Sequence, residues 1–319
     1  MRVLITGFSG FVGSHLADYL RSNIKKAEIH GLIRPGVSPD RFPESFRPFL
    51  HFGDLLDRES LARVIGESAP ELIFHLAGFS SSLSSAEQPE QAIKVNLLGT
   101  LNLLEAVRKS RLNPVIIIAS SAEIYGLVYS NELPIKETAA FRPLSPLAVS
   151  KAAQDLLGFQ YFKLHDLKII RVRLFDLLGP RQPDFYFISR VARRIAEVEK
   201  KKSPPVIKIS KAESKRDYTD VRDAVRALWW LAEKGEAGEA YNLGSGQARS
   251  KSELIDLMVS LTRARLVIET DEDSSPRFLE PPILLADISK IAKATGWKPQ
   301  IILKQSLLDL LNYWRETIS

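Results

Sequence analysis

The sequence predicts an α/β protein built on a doubly wound parallel sheet, with a smaller α/β lobe at its C-terminal end. Through the first half of the 319 residues, short and almost continuously apolar runs alternate with amphipathic helical patterns. Such runs are typical of parallel strands that helices cover on both faces. A turn with three glycines follows the first run, and the alternation ends after about residue 175. These observations indicate one large unit followed by a smaller one.

The elements of the first half follow from hydrophobic periodicity. Amphipathic helical patterns separate the apolar runs, as the crossover connections of a parallel sheet require. We therefore expect each run to be a strand of one sheet. The predicted strands lie at 3–6, 27–33, 50–52, 71–77, 114–120 and 168–174.

The second half has a less regular pattern. A loop after residue 174 leads to a predicted helix at 184–200 and a short strand at 205–210. A polar segment, KAESKRDYTD, then precedes a long amphipathic helix. Strands within EAYNLGSG and ARLVIET, a helix between them and two final helices complete the chain. We expect a first domain over 1–175, to which 212–245 returns, and a second domain over 176–319.

Composition excludes several classes of function. The net charge is +6, and the basic residues are scattered except for a run at 200–202, so no nucleic-acid partner is predicted. The chain has no cysteine, which excludes disulfides, thiolate metal ligands and a cysteine nucleophile, and no metal site is expected. No window reaches the ~18 apolar residues of a membrane span, and no targeting segment is visible. We expect a cytoplasmic protein without a membrane partner.

A glycine pattern at the first strand-to-helix turn predicts a dinucleotide site. Gly7, Gly10 and Gly13 follow the strand, and Phe11 and Val12 open the helix. Glycine lets the backbone turn tightly and lets a pyrophosphate approach the main chain. The helix N-terminus adds free N–H groups and partial positive charge. We therefore expect a Rossmann dinucleotide-binding domain.

Residues after the second and third strands bear on the choice of dinucleotide. A Rossmann protein that prefers NAD places a carboxylate at the end of the second strand, where it holds the ribose 2′-hydroxyl. This chain has Ile33 and Arg34 there, and an arginine can pair with a 2′-phosphate. We expect NADP rather than NAD. Asp54, which Leu55 follows, is placed to accept a hydrogen bond from the adenine amino group.

Longer segments resemble a known family along essentially the whole chain. They occur in the order TGFSGFVGSHL, FHLAG, VNLLGTLNLLEAVR, ASSAEIYG, SPLAVSKAA and RDYTDVRDAVRA. Together they resemble the extended short-chain dehydrogenase/reductases of the epimerase/dehydratase family, which act on nucleotide sugars. Within that family the chain is most similar to GDP-4-keto-6-deoxy-D-mannose reductases and GDP-mannose 4,6-dehydratases. The resemblance implies an NADP-dependent oxidoreductase or dehydratase with a GDP-sugar substrate.

The resemblance also implies roles for residues near the cofactor. Ser121 matches the hydroxyl residue that hydrogen-bonds the sugar, and Glu123 matches the general base of the dehydratases. Lys151 matches the lysine that binds the nicotinamide ribose and lowers the pKa of a catalytic tyrosine. Three further matches would cover or line the bound cofactor: Leu76, Ala77 and Asn96.

Other matches concern the substrate and the assembly. Arg216 and Arg277 match arginines expected on the diphosphate and nucleoside, where a guanidinium fork pairs with phosphate oxygens. Asp176 replaces an asparagine that would donate to the phosphate, and Arg181 replaces a glycine and could offset the added negative charge. The resemblance further implies a homodimer through the helices that contain VNLLGTLNLL and SPLAVSKAA.

One departure concerns the chemistry itself. The family has Tyr-x-x-x-Lys, but the residue four positions before Lys151 is Leu147. Ketone reduction leaves an alkoxide that must gain a proton, and leucine cannot supply one. Loss of such a group typically costs ~10²–10⁴-fold in rate. Tyr125, two residues beyond Glu123, is a candidate replacement.

Three hypotheses therefore stay open. The chain is an active NADP-dependent enzyme on a GDP-sugar, with another residue or water in place of the tyrosine. Alternatively, it binds cofactor or nucleotide sugar but turns over slowly or not at all, and acts as a partner protein. The third hypothesis is an enzyme of the same fold that acts on a different sugar nucleotide or another carbonyl substrate.

Overall fold

A computed structural model of the chain describes residues 1–209, 214–270 and 281–318. Its strands are short, as is usual for α/β proteins. In chain order they are β1 (Arg2–Thr6), β2 (Glu28–Ile33), β3 (Leu50–Phe52), β4 (Leu72–His75), β5 (Val115–Ser121), β6 (Lys168–Leu174), β7 (Asp176–Leu178), β8 (Val206–Ile209), β9 (Lys215–Asp220), β10 (Ala240–Leu243), β11 (Ala248–Ser250), β12 (Val267–Thr270) and β13 (Ile283–Leu284).

The helices follow the strands in regular alternation through the first half of the chain. A five-residue π-helical turn, Lys94–Leu98, interrupts one of them. In chain order the α-helices are α1 (Phe11–Asn23), α2 (Arg58–Ser68), α3 (Ser82–Glu87), α4 (Pro89–Ile93), α5 (Gly99–Ser110), α6 (Pro146–His165), α7 (Phe187–Glu199), α8 (Val221–Lys234), α9 (Lys251–Ser260), α10 (Ser289–Thr295) and α11 (Leu303–Thr317). Short 3₁₀ turns lie at Pro39–Arg41, Glu44–Phe49, Ala122–Tyr125 and Ser130–Glu132.

Seven strands form one sheet in the order β10–β6–β5–β4–β1–β2–β3. Every neighbouring pair in this sheet is parallel. The chain reverses its direction of winding between β1 and β4, which defines the switch point of a doubly wound sheet. The predicted fold class is thus confirmed. Ligands of such sheets bind beyond the carboxyl ends of the strands at this point.

Each face of the large sheet has its own apolar layer. Because side chains alternate along a strand, Val3 and Ile5 pack with α1 and α8, whereas Leu4 packs with α2 and α5 on the other face. Both layers are almost fully buried. The sheet is therefore a rigid base for the loops at its carboxyl edge.

The second half of the chain adds smaller sheets and a separate apolar cluster. β9 lies between β11 and β13 and also pairs with β7, while β8 pairs with β12. Helices α7, α9 and α11 enclose a core around Ile195, Leu254 and Leu310. β10 joins the large sheet. The domain boundary at residue 175 and the assignment of 212–245 to the first domain stay predictions.

The structure differs from the sequence-based elements at several places. The predicted single helix around VNLLGT is α4, the π turn and α5 in succession. Part of the predicted polar segment before α8 is strand β9, and part of the predicted loop after β6 is strand β7. These two strands pair with each other. β7 is too short and β9 is too polar to show hydrophobic alternation by itself, so long-range pairing decides their conformation.

A buried ion-pair cluster fastens α6 to the sheet. The carboxylate of Asp155 accepts hydrogen bonds from Arg171 at 2.9 Å and from Arg173 at 3.0 Å, and its side chain is fully buried. Arg173 also donates to the hydroxyl of Tyr125. Removal of one member of a buried ion cluster typically costs 3–5 kcal/mol, since it leaves a charge without its partner. The cluster therefore holds in place the helix that carries Lys151.

Candidate active site

The glycine turn has the close backbone approaches that the sequence predicts. Gly7 has φ +72°, and a Cβ there would lie 2.8 Å from the nitrogen of Ala77. A Cβ on Gly13 would lie 2.2 Å from the carbonyl oxygen of Gly7. Helix α1 starts at Phe11 with no side-chain cap and no acidic residue in its first turn. Its N-terminal N–H groups therefore face the turn without a side-chain acceptor, which suits a pyrophosphate.

The residues predicted around the adenosine half lie beside this turn. Arg34 is exposed directly after β2. Its guanidinium has no ion pair among the residues that the structure describes, so it fits a 2′-phosphate. One carboxylate oxygen of Asp54 accepts from the nitrogen of Leu56 at 2.8 Å. Leu55 is buried under α5, where a Cβ on Gly99 would lie 2.9 Å from it.

Lys151 and Asn96 meet around Gly78. A Cβ on Gly78 would lie 2.6 Å from the side-chain oxygen of Asn96 and 3.4 Å from Nζ of Lys151. The segment after β4, which includes Leu76 and Ala77, thus runs between the glycine turn and Lys151. The π-helical turn aims Asn96 inward, where it accepts from the nitrogen of Phe79 at 2.7 Å. Insertions of this kind are frequent at functional sites.

A buried hydrogen-bonded chain leads away from Lys151. Its Nζ donates to the carbonyl of Ala119 at 2.8 Å and to the side-chain oxygen of Gln154 at 2.9 Å. Gln154 donates to the hydroxyl of Thr100 at 2.7 Å, which itself donates to the carbonyl of Asn96. Burial lowers the pKa of Lys151 to about 8. At neutral pH the lysine is still mostly protonated, and the chain supplies acceptors for its charge.

The same chain continues to the first strand through His75. The hydroxyl of Thr100 has donated its only proton to a carbonyl, so Nε2 of His75, 2.8 Å away, donates to Thr100. Nδ1 of His75 then accepts from the hydroxyl of Thr6 at 2.8 Å. Burial, together with the nearby positive charge of Lys151, lowers the pKa of His75 to about 3. The histidine is therefore neutral, with its proton on Nε2.

Ser121 and Glu123 lie at the carboxyl end of β5. The hydroxyl of Ser121 accepts from the nitrogen of Glu123 at 3.2 Å. Ser82 donates to one oxygen of the Glu123 carboxylate at 2.6 Å, and Ser145 donates to the other at 3.2 Å. These two hydroxyl donors hold the carboxylate in one orientation. Sequence reasoning missed both serines, which come from segments about 41 and 22 residues away.

Leu147 occupies the second position of helix α6. Its side chain is 3% exposed, and its nitrogen donates to the hydroxyl of Ser85 at 3.2 Å. Helix α6 begins normally, with Ser145 as the cap of its first turn. The helix that carries Lys151 is thus regular at its N-terminus. The position that holds the tyrosine in Tyr-x-x-x-Lys, however, is apolar.

The predicted substrate residues separate into two groups. Arg216 lies 4.0 Å from the carboxylate of Asp176, so the positive and negative charges face each other. Arg181 instead pairs with Asp18 of helix α1 at 2.9 Å and approaches His15. The expectation that Arg181 offsets Asp176 is wrong, because α1 supplies its acidic partner. Arg277 lies outside the described residues.

Tyr125 is not a replacement for the missing phenol. Its side chain is fully buried, and its hydroxyl donates to Asn242 at 2.6 Å and accepts from Arg173. Burial raises its pKa to about 12. Tyr186, which sequence reasoning did not select, reaches toward the cleft and donates to the hydroxyl of Ser80 at 2.9 Å. Its position just before α7 gave no local signal.

Two features are absent from the described residues. None of their helices combines the length and hydropathy that a membrane crossing requires. Their His, Asp and Glu side chains also form no group of three that could hold a metal ion.

The fold, with Lys151 next to the segment that covers the glycine turn, defines an extended short-chain dehydrogenase/reductase. The family described as GDP-mannose 4,6 dehydratase matches residues 4–309, and the chain belongs to this family. The family resemblance stated from the sequence motifs is thereby confirmed, and it is a family of enzymes.

Individual relatives agree with this assignment. The GDP-6-deoxy-D-mannose reductase of Pseudomonas aeruginosa is 33% identical over 99% of this chain and 98% of its own length. A GDP-mannose 4,6-dehydratase of Yersinia enterocolitica is 28% identical over 97% of this chain and 92% of its own. The solved structure of RMD from Pseudomonas aeruginosa, complexed with NADPH, has a TM-score of 0.87 and 31% identity, with full coverage of both chains.

The buried, neutral His75 should make the free energy of unfolding depend on pH. The pKa of His75 is about 3 in the folded protein, below its ordinary value, so the unfolded chain binds more protons as the pH falls. His75 therefore contributes stability above pH ~6.5 that is lost progressively toward pH 3. The unfolding free energy falls as the pH drops below 6.5, and this fall should be less steep in His75→Gln than in the wild type, by up to ~1.4 kcal/mol per pH unit.

Urea unfolding between pH 7.5 and 5 checks this prediction. His165→Gln, at the partly exposed end of α6, is the matched control and should keep the wild-type slope. Parallel pH curves for wild type and His75→Gln would contradict the buried neutral histidine.

Proposed function

We propose that the chain is an NADP-dependent oxidoreductase that reduces a GDP-4-keto-6-deoxy sugar. The observation that carries the proposal is the placement of Lys151 and Asn96 around Gly78, one short segment away from the glycine turn. A dinucleotide whose pyrophosphate rests on that turn would direct its nicotinamide ribose at this pair. The NADPH-complexed reductase of the same fold and the near full-length reductase relative support the proposal.

Reduction suits this site better than dehydration. A 4,6-dehydratase must first oxidise a hydroxyl, which requires a base strong enough to accept its proton. The 147 position is leucine, so no phenolate beside Lys151 can be that base. Ketone reduction requires only a proton donor for the developing alkoxide, and neutral hydroxyl groups can donate.

The remaining residues take defined parts in this proposal. Bound NADPH supplies a hydride to the sugar carbonyl carbon. Lys151 binds the ribose hydroxyls with its ammonium group, and Asn96 fixes the segment at Phe79 that closes over them. Ser121 donates a hydrogen bond to the sugar oxygen. Glu123, held by two serine hydroxyls, accepts from a neighbouring sugar hydroxyl and orients the ring.

A cavity in the second half is the proposed nucleotide subsite. It has a volume of about 700 Å³ between α7 and β8. Arginine and lysine side chains line it together with carboxylates, and the set includes Arg190, Arg194 and Lys208. Guanidinium groups suit a diphosphate. Arg216, which faces Asp176, is proposed to lie nearer the sugar end.

The second candidate function is binding without efficient turnover. Leu147 is the observation that favours it, because the usual proton donor is absent. Such a protein would bind NADP and a GDP-sugar and act as a partner of an active enzyme. The expectations of a cytoplasmic location and of no nucleic-acid partner stay predictions.

Direct assay tests the proposed function. Purified chain with NADPH and GDP-4-keto-6-deoxy-mannose should oxidise NADPH in proportion to GDP-6-deoxyhexose formed, with product identified by mass spectrometry. Binding of both ligands in calorimetry without product would favour the second candidate. If the protein bound neither NADPH nor a GDP-sugar, both candidate functions would be excluded.

Cofactor preference gives a separate prediction. Arg34→Ala should weaken NADPH binding about tenfold, since loss of an exposed charge-assisted contact costs about 1.4 kcal/mol. NADH affinity should stay within twofold, because NADH lacks the 2′-phosphate. Calorimetry measures both values, and Arg263→Ala is an exposed control. An unchanged ratio of NADPH affinity to NADH affinity would show that Arg34 does not determine the cofactor preference.

We also propose that the protein is a homodimer. Val149, Leu156 and Phe159 are exposed on one face of α6, at the spacing of seven and three that forms a helical seam. Ile93 and Leu98 are exposed on the neighbouring α4 and π turn. In a two-fold symmetric dimer, this apolar face of one copy would pack against the equivalent face of the second copy.

Sedimentation velocity tests the dimer. Leu156→Glu should convert a micromolar dimer to monomer, because it places charge at the centre of the apolar face. Ile302→Glu alters an exposed apolar residue elsewhere and should leave the dimer intact. A monomeric wild-type chain at tens of micromolar would refute the proposal.

A further inference from the structure

The site described above contains no phenol beside Lys151, yet another tyrosine reaches the same cleft. Tyr186 lies immediately before α7, in the half of the chain that holds the proposed nucleotide subsite. Its hydroxyl donates to the side-chain oxygen of Ser80 at 2.9 Å and approaches the Ser80 carbonyl at 3.3 Å. Ser80 belongs to the segment between β4 and α3, two residues beyond Gly78. Tyr186 thus spans the cleft from one half of the chain to the other.

Two carboxylates lie within electrostatic range of Tyr186. The negative charges of Asp176 and Glu123 both act on its hydroxyl. Glu123 is fixed to Ser82, two residues after Ser80, by a hydrogen bond of 2.6 Å. The phenol and the carboxylate that adjoins Ser121 therefore both bond serines of the same short segment. Asp176 is the first residue of β7.

Three other tyrosines have hydroxyl groups that are committed elsewhere. Tyr125 bonds Asn242 in the core, Tyr161 donates to Glu105, and Tyr241 accepts from the nitrogen of Glu236. Tyr186 is half-buried, with an exposed serine as its partner. Its hydroxyl can exchange that serine for a ligand oxygen without leaving a buried group unpaired.

We propose that Tyr186 is the proton donor of this enzyme and replaces the phenol missing at position 147. The inference rests on the proposed reductase function. Burial raises the pKa of Tyr186, and the charges of Asp176 and Glu123 raise it further. The phenol therefore keeps its proton at neutral pH and can act as an acid toward an alkoxide, which is more basic. This environment disfavours the phenolate that an oxidation would need.

The reduction combines one hydride transfer with one proton transfer. The carbonyl carbon of the keto sugar gains a hydride from NADPH, and the C=O π pair becomes a lone pair on the oxygen. That oxygen takes the proton of the Tyr186 hydroxyl, and the O–H bond of the phenol breaks. The phenolate regains a proton from solvent through the Ser80 hydroxyl. The ketone is reduced to an alcohol, and NADPH is oxidised to NADP.

Tyr186→Phe removes only the hydroxyl and is the test of this inference. We expect kcat for the keto-sugar reduction to fall ~10²–10⁴-fold, the usual contribution of an acid/base group. The Kd for NADPH and the midpoint of thermal unfolding should stay unchanged. Tyr313→Phe, which removes a phenol on α11, is the matched control and should keep wild-type turnover.

A double variant separates proton donation from packing. Leu147→Tyr in the Tyr186→Phe background puts a phenol beside Lys151, so turnover should recover at least tenfold over Tyr186→Phe. A merely structural Tyr186 would not be rescued from the opposite side of the cleft. Absence of rescue, or a kcat for Tyr186→Phe within threefold of wild type, would overturn the inference.

The outcomes also distinguish this inference from the proposed function. If the Tyr186→Phe variant keeps the turnover of the wild type, the proposed reductase function is still supported, but Tyr186 is not the proton donor. Ligand binding without wild-type turnover overturns Tyr186 as proton donor and leaves only the binding function. If the wild type binds neither NADPH nor a GDP-sugar, both proposals fall.

Discussion

A charged lysine in a buried position is the constraint on which the active-site half of the molecule depends. An ammonium group taken out of water requires acceptors, and Lys151 finds them in the carbonyl of Ala119 and the side chain of Gln154. Gln154 can accept from the lysine only because its amide group donates to Thr100. The hydroxyl of Thr100 in turn fixes the proton of His75 on Nε2. One charge thereby orders side chains on α6, α5, β4 and β1.

The two halves of the candidate site are preserved to different degrees. The glycine turn, Arg34, Asn96 and Lys151 are the proposed dinucleotide residues, and they show close backbone approach and exposed or satisfied polar groups. The reacting end differs from the Tyr-x-x-x-Lys pattern, because Leu147 is buried at the place of the phenol. The contact between Tyr186 and Ser80 brings a hydroxyl to that end from the opposite side of the cleft. The proposed proton donor and the proposed cofactor residues therefore come from segments that are far apart in the chain.

Charge in the substrate region is also balanced by tertiary contacts. Asp176 would repel a diphosphate if it were alone, but Arg216 lies 4.0 Å from it. Arg181 was expected to provide that balance, yet its left-handed backbone conformation directs it to Asp18 on α1. The pair on β7 and β9 forms because these two short strands are neighbours. Neither strand could be predicted from local sequence, since β7 has only three residues and β9 is six residues long and mostly polar.

The sequence by itself determined the order of strands and helices in the first half, the glycine turn, Arg34 at the end of β2 and the Leu147–Lys151 spacing. These features depend on residues close together in the chain, whose periodicity and backbone preferences are local properties. Tertiary structure alone decided that Tyr125 is buried, that Tyr186 meets Ser80 and that Gln154 and His75 both bond Thr100. Those contacts join residues separated by 25 to 117 positions. They form because the doubly wound sheet brings the carboxyl ends of distant strands to one edge.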